Sequence, residues 1–443
     1  MDDSLGVSWF GFLPAMRTFV VIWAGQIVSL FGSGLTSFAL GVWVYQQTGQ
    51  ATQFALMGFF STLPALLLGP VAGAFVDRWN RRWAMILSDG GAAMVTVLLI
   101  ALLLTGKLRL GYLYAAMVVS SLFTAFQWPA YSAAMTLLVP RHQLGRANGL
   151  DQLGQAASQL LAPITAAALL AAIRLEGVML IDLMTFLFAL ATLLSVRVPQ
   201  PASRSEAGTA GPSLLEQVKA GWRFLADRPA LRGLLLYLAM INLLAGFNIA
   251  LATPLVLSIA SPRELGLVLS ISSAGLVAGG LTMSVHGGPA RRMSGVLGFG
   301  LLYGFGFLLI GLGASIPAIA AASFLLMFSV PLINGCSQTI WQNKVPPALQ
   351  GRVFAVRRMI AQATLPLAFL IAGPLADLVF RPLLVEGGAL AGSVGRIVGV
   401  GQGRGIGLLY VLLGVFALSV GLVAHLSRRL QRLEDELPDW VEA

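Results

Sequence analysis

Long apolar runs alternate with short polar stretches along the whole chain. A helix needs about 20 apolar residues to cross a bilayer, and twelve runs reach or approach that length. Runs of this length favour helices over strands, so the pattern predicts an all-α membrane protein. The twelve predicted spans, numbered in chain order, are Phe19–Tyr45, Phe54–Val76, Ala84–Leu104, Leu110–Leu138, Leu150–Ile173, Val178–Val196, Leu231–Ile259, Leu265–Val285, Val296–Ala314, Ile316–Trp341, Ala355–Phe380 and Ile406–Leu426.

Composition supports this interpretation. Of 443 residues, 57% are hydrophobic and only 10% are charged, whereas a soluble domain averages about 25% charged residues. The mean hydropathy is +0.84. The single cysteine, Cys336, lies inside an apolar run, so the chain offers no disulfide framework and no thiolate metal cluster.

The distribution of basic residues predicts the orientation. A formal charge of +10 would suggest a nucleic-acid partner in a soluble protein, but here the basic residues fall in alternate loops. If both termini are cytoplasmic, 21 of the 28 Lys and Arg residues lie inside and seven lie outside. Cytoplasmic loops carry such an excess. We therefore expect a multi-pass protein of the cell membrane with both termini cytoplasmic, in contact with lipid and not with nucleic acid.

One linker-like stretch, PQPASRSEAGTAGP at 199–212, divides the spans into six and six. An amphipathic segment follows it and is typical of a helix on the membrane surface. The two halves also echo each other, a common transporter architecture. We predict two pseudo-symmetric six-helix bundles at 1–198 and 231–426, joined by a cytoplasmic linker with an amphipathic helix at 199–230 and followed by a cytoplasmic tail at 427–443.

A short basic hairpin joins spans 2 and 3, and the chain there reads LGPVAGAFVDRWNRR. An acid at the end of a span can pair with a nearby arginine or with the positive N-terminus of a helix. Making and breaking that contact would gate a transporter, whereas the simpler alternative is that these residues only cap the turn and set topology. The residues of the predicted gate are Gly69, Gly73, Asp77, Arg78, Arg81 and Arg82.

Polar side chains follow one face of several spans, as expected of helices that line a cavity. An amide that faces lipid is costly unless it is hydrogen-bonded, so these faces should point inward. Hydrogen bonds between helices would explain any single residue equally well. The predicted cavity residues are Gln26, Ser33, Gln127, Trp128, Tyr131, Gln155, Gln159, Asn242, Asn334, Gln338 and Trp341.

Acidic residues inside membrane spans often carry protons. Four acids lie near span ends: Asp89, Asp151, Asp182 and Asp377. We take Asp151 and Asp182 as the candidates for proton coupling. A structural pair with a neighbouring basic or amide group is the alternative for each.

No metal or cofactor site is predicted. His142, His286 and His425 are isolated, and no HExxH or comparable spacing occurs. A membrane-embedded lipid enzyme would need a reactive pair at one membrane face. The nearest pair, His142 with Asp151, lacks an acyltransferase spacing, so we expect no enzymatic activity.

The chain resembles the major facilitator superfamily, and within it the branch that contains macrolide-efflux and enterobactin exporters. The resemblance is carried by FVVIWAGQIVSLFGSGLTSFALGVWVYQQTG in span 1, by the basic hairpin, and by KVPPALQGRVFAVRR before span 11. It implies a secondary exporter of small amphipathic molecules, driven by protons and working by alternating access. A dedicated exporter of one natural product, such as a siderophore or peptide metabolite, is the alternative.

The resemblance also implies roles for particular residues. Asp77, Arg78 and Arg81 would form the cytoplasmic gate of the family. The antiporter motif of span 5 survives as Gly154 and Pro163, without the flanking glycines. Span 1 has no acid, which argues against a pocket specific for cations because nothing there would neutralise a buried positive charge.

Overall fold

The structure is a computed structural model that describes residues 16–140, 143–196, 198 and 221–436, and at 70, 73, 74, 77, 78, 347, 348 and 436 it describes the backbone alone. Within these residues the fold is helical. We label the eleven long helices α1 Arg17–Thr48, α2 Ala51–Arg78, α3 Arg81–Leu104, α4 Leu110–Leu138, α5 Leu144–Ser195, α6 Pro229–Leu257, α7 Pro262–His286, α8 Arg292–Leu312, α9 Ile316–Lys344, α10 Pro347–Pro374 and α11 Arg404–Leu426.

All eleven helices contain a stretch long and apolar enough to cross a membrane. Helix α5 has 52 residues, about 78 Å at 1.5 Å per residue, which exceeds twice the thickness of the hydrocarbon core. Its backbone breaks at Arg174, where φ is 60° and ψ is −177°. This helix therefore contains predicted spans 5 and 6, and the predicted fold class of a twelve-span helical membrane protein is confirmed.

Backbone contacts divide the chain into two compact units. Unit 1 is Met1–Trp43 with Phe60–Glu206, and unit 2 is Val44–Phe59 with Ala207–Ala443. Unit 2 thus includes the end of α1 and the start of α2. The predicted boundaries at 198, 230 and 426 stay a prediction, because residues 199–220, with most of the predicted amphipathic segment, lie outside the described residues.

In unit 1 the turn between α2 and α3 is tight and well capped. Asn80 precedes α3, and its side-chain oxygen accepts from the backbone N–H groups of Arg82 and Trp83. The Arg82 guanidinium donates to the carbonyl oxygens of Leu193 and Leu194, both at 2.8 Å. A cation next to the last carbonyl oxygens of α5 also interacts favourably with the negative end of the helix dipole.

Small residues bring α1 close to α5 in unit 1. A Cβ on Gly154 would lie 2.6 Å from Cδ1 of Ile27, and a Cβ on Gly34 would lie 2.9 Å from Cβ of Ala162. A Cβ on Gly32 would overlap the Thr185 hydroxyl. Because these glycines carry no side chain, α1 and α5 approach closely enough for their polar groups to form hydrogen bonds.

Unit 2 contains a still closer helix contact. Helix α7 packs on α9, α8 packs on α9 and α11, and α6 packs on α10. Gly275 and Gly279 stand one turn apart on α7, and a Cβ on either would overlap the carbonyl oxygen of Phe324 or Phe328 on α9. Glycines four residues apart let membrane helices approach to backbone contact.

We predict that Gly279→Ala destabilises the protein and that Gly280→Ala does not. The added methyl of the first variant meets backbone that cannot rotate away, which costs about 1–3 kcal/mol. Gly280 has nothing within 4 Å of the corresponding position. The apparent melting temperature of the purified protein in detergent, followed by tryptophan fluorescence, should fall by several degrees for Gly279→Ala only. Equal melting temperatures for both variants would contradict this account of the contact.

Candidate functional site

Three carboxyl groups are buried among the helices of unit 1. Asp89 on α3 is 5% exposed, and its Oδ2 accepts from Nε2 of Gln26 at 2.8 Å. The Oε1 of Gln26 accepts in turn from Nε2 of Gln127 at 2.6 Å. Two predicted cavity residues, Gln127 and Gln26, thus form a chain of hydrogen bonds that ends on Asp89. Asp89 was not one of the two acids predicted to carry protons.

Asp151 is the second buried acid and is 6% exposed. Its Oδ1 accepts from the Tyr131 hydroxyl at 3.2 Å, and its Oδ2 accepts from Nε2 of Gln155 one turn further along α5 at 2.8 Å. Two more predicted cavity residues therefore hold a predicted proton-coupling acid.

Asp182 is the third and is 2% exposed. The hydroxyl of Ser33 on α1 donates to its Oδ1 at 3.3 Å. The hydroxyl of Thr185 donates to the Asp182 backbone carbonyl at 2.7 Å. Gly32 makes room for this arrangement, because a Cβ there would lie 3.0 Å from Oδ1 of Asp182.

The three acids share one chemical feature. The side chains that donate hydrogen bonds to them are neutral amides and hydroxyls. The ion pair between Arg291 and Asp435, at 4.0 Å, lies on the surface and involves none of them. A carboxylate inside a membrane is costly without a cation or a proton. The arrangement can therefore accept a proton that neutralises each group in place.

Two other predicted cavity residues of unit 1 are exposed. Trp128 is 50% exposed, and its ring centroid lies 6.4 Å from that of Tyr131. Gln159 is exposed on α5, two turns beyond Asp151.

The remaining predicted cavity residues come together in unit 2. Asn242 on α6 and Asn334 on α9 line one cavity. Gln338 and Trp341 lie on α9 and contact Arg357, which also lines this cavity.

Arg357 is a residue that the sequence analysis missed. Its place near the predicted start of span 11 at Ala355 put it with the basic residues of the cytoplasmic face. Helix α10 begins at Pro347, where proline is favoured in the first turn of a helix. Arg357 therefore lies ten residues into the helix and not in the loop before it.

Part of the predicted gate lies outside the described residues. The backbone of α2 reaches Arg78, but the side chains of Asp77 and Arg78 lie outside the described part of the chain. Arg81 is half-buried, and its Nη1 has no hydrogen-bond partner among the described residues. Arg82 holds the end of α5, as described above, so it has a structural role whether or not it also gates.

Asp377 belongs to unit 2 and caps the start of α2. Its Oδ1 accepts from the Ala51 N–H at 3.1 Å, and its Oδ2 accepts from the N–H and the hydroxyl of Thr52 at 2.7 and 2.6 Å. Arg381 donates to the Gly49 carbonyl at 3.0 Å. The acid thus meets the positive end of α2, and the arginine meets the turn that follows α1.

The position of Asp377 depends on a local change in helix type. Pro374 ends α10, and residues Leu375–Phe380 continue it as a π-helix. Short π-helical segments occur often at functional sites. Gly373 allows the close approach, because a Cβ there would lie 2.5 Å from Cα of Thr52.

A second acid caps a distant helix in unit 2. The carboxylate of Glu434, in the tail, accepts from the N–H groups of Arg292 and Met293 at 3.1 and 2.9 Å. Lys344 donates to the Glu434 carbonyl oxygen at 2.8 Å. The turn before α8 has no acid of its own, so the tail supplies one.

A bundle of membrane-spanning helices with buried carboxyl groups and polar cavity walls is typical of a secondary transporter. The family model of the Major Facilitator Superfamily matches residues 22–368. The chain belongs to this superfamily, and it is a multi-pass membrane protein of the transporter class.

Several of the similar proteins are named for efflux. Macrolide efflux protein A of Streptococcus pyogenes is 26% identical over 371 residues, which cover 81% of this chain and 89% of that protein. Multidrug efflux pump Tap of Mycolicibacterium fortuitum is 25% identical over 358 residues, which cover 78% of this chain and 86% of that protein.

Solved structures support the fold. A bacterial homologue of the human lysosomal transporter Spinster superposes with a TM-score of 0.70 at 15% identity, covering 97% of this chain and 99% of that one. The nucleoside transporter NupG superposes with a TM-score of 0.68 at 12% identity, covering 93% and 100%. At these identities the likeness shows the fold alone.

We predict that Asp377→Ala destabilises the protein through the start of α2. The variant leaves two backbone N–H groups and one hydroxyl without their charged acceptor, and hydrogen bonds to a charged group contribute about 1.5–3 kcal/mol. The apparent melting temperature in detergent should fall by several degrees.

A double-mutant cycle with Thr52→Val tests the mechanism. Thr52→Val removes one of the three hydrogen bonds, so it should have a smaller effect than Asp377→Ala, and the double variant should be less destabilised than the sum of the two. Coupling between residues in contact is about 0.5–3 kcal/mol. Strict additivity would mean that Asp377 does not act through Thr52.

Proposed function

We propose that the protein is a proton-coupled secondary exporter of small amphipathic molecules, working by alternating access in the cell membrane with both termini cytoplasmic. The observation that carries the proposal is the similarity to Macrolide efflux protein A over 81% of the chain. The similarity to the pump Tap supports efflux of more than one compound. No enzymatic step is part of the proposal.

The buried acids of unit 1 support proton coupling. A proton carrier needs a carboxyl group that is shielded from water and not held permanently by a cation. Asp151 and Asp182 meet that description, and so does Asp89, whose amide chain makes it a third candidate. In each case neutral hydrogen-bond donors hold a buried carboxyl group.

The gate at the α2–α3 turn is part of the proposal. Arg81 supports it, because its half-buried side chain stands at the start of α3, directly after the turn that follows Asp77 and Arg78. Asp77 and Arg78 would complete the gate, as the resemblance to the family implies.

Transport in everted membrane vesicles tests the function and the gate together. Vesicles energised by a proton gradient that is acidic inside should accumulate several unrelated compounds from a panel of macrolides, lipophilic dyes and siderophores. Asp77→Asn should reduce accumulation at least tenfold, because it removes the charge that the gate uses. Asp227→Asn, which alters an exposed acid near the linker, is the matched control and should transport normally.

Each other outcome has a definite meaning. Accumulation of one compound alone would identify a dedicated exporter. Normal transport by Asp77→Asn would contradict the gating assignment. Absence of transport across the whole panel would contradict the proposed function.

We further predict that neutralising a proton-carrying acid separates accumulation from exchange. Asp89→Asn, Asp151→Asn and Asp182→Asn keep most of the local hydrogen bonds but cannot bind and release a proton. At least one variant should lose gradient-driven uptake about tenfold while it still exchanges internal for external substrate without a gradient. If all three accumulate substrate as the wild type does, these acids do not couple transport to protons.

A further inference from the structure

Arg357 is a half-buried charged residue within α10 of unit 2. It lies ten residues after the start of α10 at Pro347, about 15 Å along the helix. The sequence around it is mixed: Val353–Val356 precede it and Met359 and Ile360 follow, but Arg358 is its direct neighbour. Arg357 is half-buried, whereas Arg358 is exposed. An arginine inside a membrane-spanning helix is costly and for that reason marks a functional site.

The contacts of Arg357 leave its charge unneutralised. Its Nη1 donates to Oε1 of Gln338 at 2.8 Å, and its Nη2 donates to the Ser337 hydroxyl at 3.4 Å. The guanidinium carbon lies 5.6 Å from the ring centroid of Trp341. These partners are all neutral. The guanidinium is thus fixed in direction by α9, but no carboxylate of the described residues forms an ion pair with it.

A cavity of about 140 Å³ opens beside this guanidinium. Its polar lining is Arg357, Asn242 and Asn334, and its apolar lining includes Leu235, Leu238 and Ile360. Asn242 donates to the Leu238 carbonyl at 2.8 Å, which fixes its amide. Asn334 is exposed, so its amide can donate into the cavity.

The size and lining of the cavity indicate what it holds. Pockets for drug-sized molecules usually measure about 300–1,000 Å³, so this cavity accommodates one end of such a molecule. A guanidinium held in one orientation binds carboxylate-like groups through paired hydrogen bonds. The aliphatic walls favour an apolar body next to the charged group.

We propose that this cavity is a subsite for the anionic end of an amphipathic substrate. The proposal deepens the proposed function and rests on it, because it names the chemical class of the substrates that bind at this subsite, namely amphipathic molecules with a carboxylate, sulfonate or similar group. The occupant neutralises Arg357 and accepts from Asn334, while its apolar part contacts Leu235 and Ile360.

Equilibrium binding to the purified full chain tests the subsite without any gradient. The probes are two xanthene dyes of opposite charge, fluorescein as the anion and rhodamine 6G as the cation, followed by fluorescence anisotropy in neutral detergent at pH 8 with empty micelles subtracted. Arg357→Gln should raise the Kd for fluorescein at least tenfold and should leave the Kd for rhodamine 6G within about twofold. Arg357→Lys, which keeps the charge but loses the paired donors, should give an intermediate Kd.

The neighbour Arg358 supplies the matched control. It is exposed, so Arg358→Gln removes the same charge from the same turn and should bind fluorescein as the wild type does. Unchanged binding of rhodamine 6G shows that the Arg357 variants remain folded. Equal losses for both dyes, no loss for either, or no binding of fluorescein by the wild type would overturn the subsite.

Titrations in liposomes distinguish a free anion from a lipid headgroup as the occupant. The same two dyes are titrated in phosphatidylcholine with and without phosphatidylglycerol. Fluorescein binding that depends on Arg357 in both lipid mixtures would support the substrate subsite. If Arg357→Gln changes only the ability of phosphatidylglycerol to displace fluorescein, the cavity binds a lipid headgroup. That result would overturn the substrate subsite.

The vesicle transport assay separates the subsite from the proposed function. Charge-selective binding together with absent transport would contradict the proposed function and leave the subsite intact. Transport without charge-selective binding would overturn the subsite and leave the proposed function intact.

Discussion

Inside a membrane, a polar group must find its partner within the protein, because lipid offers none. This constraint explains most of the specific contacts in the structure. Asp89, Asp151 and Asp182 are each held by amides or hydroxyls. Helix ends follow the same rule at longer range, since Asp377 caps the start of α2 and Glu434 caps the start of α8. The polar residues therefore fix which helix faces meet.

Close helix packing makes these polar contacts geometrically feasible. Hydroxyl and carboxyl side chains are short, so they reach each other only where two backbones approach closely. Gly32 brings Ser33 to Asp182, and Gly373 brings α10 to Thr52. Dispersion between well-packed helices also replaces the hydrophobic drive that lipid cannot supply. The high glycine content of the chain, 50 residues in all, is in this sense a condition for its buried hydrogen bonds.

The sequence predicted what depends on local patterns. Runs of apolar residues located the spans, and polar residues at helical spacing identified Gln26 and Gln338 as inward-facing. The partners were not predictable, because they are far apart in the chain: Gln26 and Asp89 are separated by 63 residues, and Thr52 and Asp377 by 325. Arg357 was missed for a different reason. A cluster of arginines at the start of a span is typical of a cytoplasmic loop. The Arg357 guanidinium instead donates to two neutral acceptors on α9, and the sequence gives no sign of that contact.

Both units hold ionisable side chains whose partners are neutral. Unit 1 holds three acids with neutral donors, and unit 2 holds a guanidinium with neutral acceptors. Under the proposed function a proton would neutralise the acids, and under the proposed subsite an anion would neutralise the guanidinium. A permanent ion pair would stabilise one state, whereas charges that exchange partners allow binding and release to change the energy of each unit in turn.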